Sequence, residues 1–281
     1  MKLSISIITP SYNQGEFIER TIKSVCIQKY VSEHIVIDAG STDDTIKLIK
    51  KFGNKINWLS ESDKGQANAI NKGILLTNSD IIGWLNSDDI YYESTIEKVL
   101  NIFEENEDID VIYGGANHID TEDKFIEKYY TQEFNFEKLK EVCFICQPAT
   151  FFRRSVVNKY GLLDEKLNYC MDYEFWLRLA ENHAKFKYVE EIFAGSRLHN
   201  NNKTLGSRRK VHAEINNMML SKFRLVPYRW ISNYAYTFVS IKDRELVRIL
   251  KRTILIQYAM LKWRVMPYLK EKIYLKKVIN I

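Results

Sequence analysis

Cysteine, proline and glycine are all scarce in this 281-residue chain, which has four, four and eleven of them. Of Cys26, Cys143, Cys146 and Cys170, only Cys143 and Cys146 form a CxxC, and no second pair stands at metal-ligand spacing. A redox pair or half of a zinc site is the alternative reading; buried apolar thiols in a reducing compartment are the expectation. So little proline and glycine, without repeats or low-complexity segments, describes a folded chain. Neither GxGxxG nor GxxxxGK[ST] occurs, which argues against a dinucleotide dehydrogenase and a P-loop NTPase. The opening "MKLSISIITPSYNQG" lacks the apolar stretch of a secretory leader and reads as a cytoplasmic start. Spanning a bilayer takes ~20 mostly apolar residues. The longest uncharged C-terminal run, Trp230 to Ile241, falls short and contains Ser, Asn and Thr.

What is present is 46% hydrophobic and 27% charged, ordinary for a chain with a sizeable core. The net charge of +5 is unevenly placed: from Leu220 onward there are fourteen Lys and Arg against three Asp and Glu. An acidic body carrying a basic tail calls for an anionic partner or for docking of one on the other. Nucleic acid is not the expected partner, because the charge sits at one end and no binding motif accompanies it.

Strands and helices alternate through the first half. "SISIITPSYN" reads as a strand ending at Thr9 and Pro10, followed by a helix through Phe17, Ile18, Ile22, Val25 and Cys26. "HIVIDAGSTDD" is a strand ending at Asp38, and Asp43 and Asp44 suit the N-terminus of a helix closed by Gly53. "INWLSESD", "GQANAINKGILL" and "DIIGWLN" continue as strand, helix and strand; a helix through Ile96, Val99, Leu100 and Phe103 leads to the strand "DVIYGGANHID". This is an α/β pattern with a Rossmann-like, mostly parallel sheet flanked by helices. Ligands of such sheets bind beyond the carboxyl ends of the strands. Beyond residue 130 the alternation stops. A strand-to-helix step at "QPATFFRRSVV", a helix at "MDYEFWLRLAENH" and strand before His199 precede basic helical sequence. A boundary near residue 218 divides a domain 1–218 from a basic, mainly helical extension 219–281.

Three of the first four strand ends finish in acids: Asp38, "SESD" through Asp63, and "NSDD" from Asn86 to Asp89. An acid-lined edge repels bare phosphate, but a divalent cation between carboxylate and phosphate reverses the sign. Mg²⁺ and Mn²⁺ take such oxygens and keep positions open. The alternative is that Asp88 and Asp89 serve only the N-terminus of the helix that follows.

"SIITPSYNQGEFIERTIKSV", "VIDAGSTDDT", "SDKGQANAINKGI" and "GWLNSDD" occur in order. "QPATFFRRSVV", "YCMDYEFWLRLA" and "AGSRLHNNNKT" follow them, so that the match runs over roughly residues 3 to 205. Together they closely resemble the family 2 glycosyltransferases. The resemblance implies the GT-A (nucleotide-diphospho-sugar transferase) fold and transfer of a sugar from a nucleotide diphosphate, with inversion. It implies that Thr9, Pro10 and Tyr12 flank the nucleotide and that Asp38 meets the base, with Ala39 where a second acid is common. Asp63, Lys64 and Gln66 match the loop that closes over the nucleotide. Asn86, Ser87 and Asp88 replace a DxD-type signature, with Asp88 as ligand of Mn²⁺ or Mg²⁺ and Asp89 either orienting its neighbours or capping a helix. His199 matches a position that completes the metal shell, and Arg197 either neutralises diphosphate or pairs with an acid. Asp172 matches the general base, with Met171 where the family has Glu; Glu174 is a reserve. Gln147 and Trp176 fall on the acceptor side, although core packing suits Phe151, Phe152 and Trp176 individually.

The resemblance further implies a nucleotide-diphospho-sugar donor, UDP-linked by preference, and a glycan or lipid-linked acceptor in surface polysaccharide assembly. The basic tail, with Arg244, Arg248, Lys251 and Arg252 near one another on a helix, suits anionic lipid at the inner face of the cell membrane. Packing on the acidic body or a homodimer interface is the other use of it. A catalytically silent sugar-nucleotide-binding scaffold and a nucleotidyltransferase remain as alternative functions.

Overall fold

The structure is a computed structural model that describes residues 3–200, 202–240 and 245–268. It divides into two units, one formed by the chain up to Leu139 with Cys143–His199, the other by Lys140–Val142 with the described residues from Asn200 on.

In the first unit the elements follow one another as β1 (Ile5–Ser11), α1 (Ile18–Cys26), β2 (Glu33–Asp38), α2 (Thr45–Lys50), β3 (Asn57–Ser60) and α3 (Gln66–Leu76). Next come β4 (Ile81–Trp84), β5 (Ile90–Tyr91), α4 (Thr95–Glu105), β6 (Val111–Ile119), β7 (Phe125–Lys128) and α5 (Phe136–Glu141), which runs into the second unit. The series ends with β8 (Thr150–Arg153), α6 (Arg154–Tyr160), α7 (Met171–Glu181) and β9 (Phe186–Arg197). One sheet takes the order β3-β2-β1-β4-β8-β6-β9-β5, with β7 beside β6. The pairings run β1, β2, β3, β4, β6 and β9 in one direction and β5, β7 and β8 in the other. The expected mostly parallel α/β sheet is therefore present. Its antiparallel strands include β5, which pairs with the distant β9, and β7, a hairpin partner of β6; the sequence pattern announced neither.

Every residue of β1 is buried, as befits a strand covered on both faces. Alternation sends Ile5 and Ile7 into one cluster with Ile96, Val99, Leu100 and Phe103 of α4. Ile8 faces the other way, onto Gly73 of α3, where an added Cβ would fall on its Cγ2. Each such fully buried aliphatic or aromatic side chain contributes about 1.5–3 kcal/mol. Ile18, Ile22 and Val36 join Ile49 in a second cluster beneath α1 and α2. Cys26, at the end of α1, lies outside that stripe and is exposed, against the expectation of a buried thiol. Cys146 and Cys170 are buried, Cys143 is half-buried, and all four are free.

The parallel register sets the strand ends side by side: Ser11 lies opposite Asp38, Asp38 opposite Ser60, and Ile8 opposite Trp84. At the far side β9 runs beside β6 to the Ile119–Arg197 pair, while β5 folds back on β9 with Ile90 opposite Gly195. Gly195 is required there, since a Cβ would come within 2.8 Å of Ile119 and 3.0 Å of Ile90. The Asn86–Asp89 turn and the end of β9 thus share one edge.

In the second unit α8 (Lys203–Gly206), α9 (Arg208–Phe223), α10 (Tyr228–Tyr236) and α11 (Glu245–Met260) are followed by a π-helical turn at Leu261–Val265. The boundary expected near residue 218 falls inside α9, because that helix continues to Phe223. Trp263 anchors this unit, buried with its ring 4.6 Å from Tyr234 and its indole N–H donating to Asn217 Oδ1 at 2.9 Å. Arg244 and residues 269–281 of the basic tail lie outside the described residues. Among the described residues no helix is long and apolar enough to cross a membrane.

His34 is buried in β2, its Nε2 2.9 Å from Thr9 Oγ1 and its Nδ1 without a partner. Burial lowers its pKa to about 3, so the folded protein holds it neutral while the unfolded chain protonates it near 6.5. Its contribution to stability is complete above pH 6.5 and is lost as the pH falls from there toward 3, by up to about 1.4 kcal/mol per unit. Urea unfolding from pH 7 to pH 4 is expected to be steeper in the wild type than in His34→Gln, which keeps a partner for Thr9 and loses the titration.

Candidate functional site

Asn86 organises the end of β4. The indole N–H of Trp84 donates to its Oδ1 at 2.8 Å, and because indole only donates, the amide orientation is fixed. Gln66 Nε2, from the start of α3, donates to the same oxygen at 2.8 Å. Asn86 Nδ2 donates to Gln147 Oε1 at 2.8 Å and to Asp89 Oδ2 at 3.3 Å, and Gln147 Nε2 in turn donates to the Trp84 carbonyl. Gln66 and Gln147 are thus brought to the strand end, but both are used to hold it. Gln147 is buried and does not stand open on an acceptor side. Ser87 is buried too, and Thr21 of α1 ties down the turn by donating its hydroxyl to the carbonyls of Ser87 and Asp89.

Asp88 and Asp89 diverge. Asp89 is buried, accepts the Arg197 backbone N–H at 2.8 Å, and is pushed well above the usual carboxylate range by burial and then by the Asp88 charge. Asp88 remains partly exposed, with Oδ2 3.0 Å from Nε2 of His199. Two residues before that histidine, the Arg197 side chain is fully buried, donating from Nε to the Asp88 carbonyl and from an Nη to the Asp120 carbonyl, each at 2.7 Å. It forms an ion pair with Asp123, which also meets Arg20 at 3.1 Å. Phe17 completes the arrangement, with the Arg197 guanidinium 5.0 Å from its centroid and the His199 ring 4.7 Å away. Of the two roles open to Arg197, the structure shows pairing with an acid.

The other strand-end residues are more internally engaged than expected. Thr9 is fully buried against His34 and Pro10 is buried, whereas Tyr12 is exposed. Asp38 is buried and accepts from Gly40 N (2.9 Å), Ser41 N (2.8 Å), Ser41 Oγ and Ser60 Oγ (2.7 Å). Three of those donors fall on Oδ2 and one on Oδ1, so Asp38 braces its own turn against β3. Asp63 accepts from Gly65 N at 2.8 Å, holding the turn into α3, and Lys64 beside it is exposed.

On α7, Asp172 lies in the first turn and accepts its neighbour Tyr173's N–H at 2.8 Å; carboxylates are favoured at that end of a helix. Burial pushes the Cys146 thiol up. Glu174 is not a free base, for it pairs with Arg178 at 3.1 Å. Trp176 is buried, packed edge-on against Phe152 and tilted on Phe175, so it belongs to the core and not to an acceptor surface. Among the described residues no three His, Cys, Asp or Glu side chains converge as a metal cluster.

The model for glycosyl transferase family 2 matches residues 6–161. The chain belongs to that family. This family 2 chain is similar to a chondroitin synthase of Pasteurella multocida, 30% identical over 243 residues that cover 83% of the chain and 24% of the synthase. It spans 64% of two rickettsial glycosyltransferases that it also matches. Its structure is similar to S. aureus TarS residues 1–349 in complex with UDP-GlcNAc, at TM-score 0.63 and 15% identity, covering 93% of this chain and 82% of that one. It is also similar to the mannosyltransferase PcManGT of Pyrobaculum calidifontis in complex with GDP-Man and Mn²⁺, at TM-score 0.63 and 12% identity, covering 100% and 81%. These likenesses show the GT-A fold for the family 2 chain.

The Asn86 network explains why an amide stands at this position. A carboxylate there would oppose an oxygen to Gln147 Oε1 and to the Asp89 carboxyl. Asn86→Asp is expected to cost about 1–3 kcal/mol of stability in urea unfolding, the loss growing as the pH rises and the new group ionises.

Proposed function

We propose that the chain transfers a sugar from a nucleotide diphosphate, UDP-linked by preference, to a hydroxyl of a glycan or lipid-linked acceptor, inverting the anomeric centre. The observation that carries this reading is the Asp88–His199 pair, 3.0 Å apart at the carboxyl edge of the sheet. Donors in adjacent positions around an Mg²⁺- or Mn²⁺-sized ion, each at about 2.1 Å, stand about 3 Å from one another. A carboxylate and an imidazole fit such an ion, and two protein donors leave positions for phosphate oxygens and water. The Mn²⁺ and GDP-Man of the mannosyltransferase structure support the same chemistry, as does the UDP-GlcNAc of TarS. The chondroitin synthase relative supports a polysaccharide product.

When bound, the cation supplies positive charge to the departing diphosphate. The chain's own residues do the remainder. Arg197 and Asp89 fix the Asp88 backbone, and Phe17 fixes the His199 ring. Asp172 takes the proton of the acceptor hydroxyl as that oxygen attacks the anomeric carbon and the bond to the nucleoside diphosphate breaks. Asp63 and Asp38 shape the loops that cover the nucleotide.

Titration calorimetry with UDP-sugars is expected to show binding with Mn²⁺ that chelator abolishes. Asp88→Ala and His199→Ala should bind as weakly as chelated wild type. Asp172→Asn should bind normally and lose about 10²–10⁴-fold in transfer rate. Donor binding that ignores chelator would contradict the role given to Asp88.

A further inference from the structure

One side of α11 and its π-helical turn packs inward through Ile256, Ala259 and Trp263. On the opposite side Leu246, Leu250, Ile254, Tyr258, Leu261 and Val265 recur every three or four residues and are 44–81% exposed. That spacing lines them up along one side of a helix about 30 Å long. Six large apolar side chains in one exposed row exceed the scattered ones normal on a soluble surface and mark a contact site.

We propose that this face lies on an anionic lipid surface. The exposed Lys251 borders the row, Lys262 holds its ammonium 4.3 Å from the Trp263 ring centroid, and from Asn200 on the described residues hold twelve Lys and Arg against two Glu. A second copy of the chain would bring these basic borders together with only Glu245 of α11 to oppose them, a like-charge arrangement. Phosphate head groups supply the missing negative charge. A basic side chain at the border can hold its charge at the head-group level while its stem lies along the apolar row, and the Tyr258 ring suits the same depth. Five basic residues between Arg248 and Arg264 keep the helix in the interface plane instead of across the bilayer. This inference rests on the second unit alone and does not depend on the donor reading.

Co-sedimentation of the full chain with vesicles tests it, using phosphatidylcholine alone and phosphatidylcholine mixed with phosphatidylglycerol. Binding to the mixed vesicles only is expected, weakening as salt rises. Leu250→Glu combined with Ile254→Glu should reduce binding at least about tenfold. Lys251→Glu should weaken the preference for the anionic lipid. Leu250, Ile254 and Lys251 are exposed, so the circular dichroism of these variants should match the wild type. Equal sedimentation of wild type and the Leu250/Ile254 variant would overturn the proposal. So would failure to bind either vesicle, or a lipid-free dimer of the wild type that the same variant makes monomeric.

Discussion

The guanidinium of Arg197 is a buried cation that joins four parts of the chain: the Asp88 carbonyl, the Asp120 carbonyl, the Asp123 carboxylate and the Phe17 ring. A charge removed from water is tolerated only when paired and fully hydrogen-bonded, and removing one partner typically costs about 3–5 kcal/mol. The same residue gives its backbone N–H to Asp89, a carboxyl that burial and Asp88 already make costly to ionise. Arg197 thus sets the distance between β9 and the β4 turn. The approach of His199 to Asp88, two residues beyond it, follows from that spacing.

Around this fixed point the strand-end acids do unlike work. Asp38 spends its oxygens on its own turn, Asp89 on backbone and amide donors, and Asp123 on two arginines. Asp88 alone of the β4 pair keeps partial exposure and a histidine neighbour. Acids concentrated at one sheet edge are therefore not a uniform binding surface; Asp38, Asp89 and Asp123 are internal braces.

Much of this was legible beforehand where the signal is periodic and local. The strands at β1, β2 and β4 and the helices α1, α3 and α4 follow from apolar spacing, and the parallel sheet follows from their alternation. The edge carrying Asp88 and His199 follows from the sheet direction. Burial direction was not legible. Trp176 had an acceptor-side role and core packing both open to it, and packing against Phe152 and Phe175 decides for the core. Thr9 and Asp38 fall at the expected strand ends, but alternation and turn geometry aim their side chains inward. The two-residue β5 is too short to show any period, and Asp123 sits in a hairpin whose role depends on arginines far along the chain. The Asn86 substitution was visible as a departure; its reason lies in Trp84 and Gln147, which only the fold brings beside it.

Asp88 and His199 are 111 positions apart, and β9, which delivers the histidine, is the last strand of the sheet in the chain. During synthesis the ribosome releases β1 to β4 long before that strand and, with it, Arg197 and His199. Assembly of the site is consequently a late event in biogenesis, coupled to closure of the whole sheet by contacts of high sequence separation.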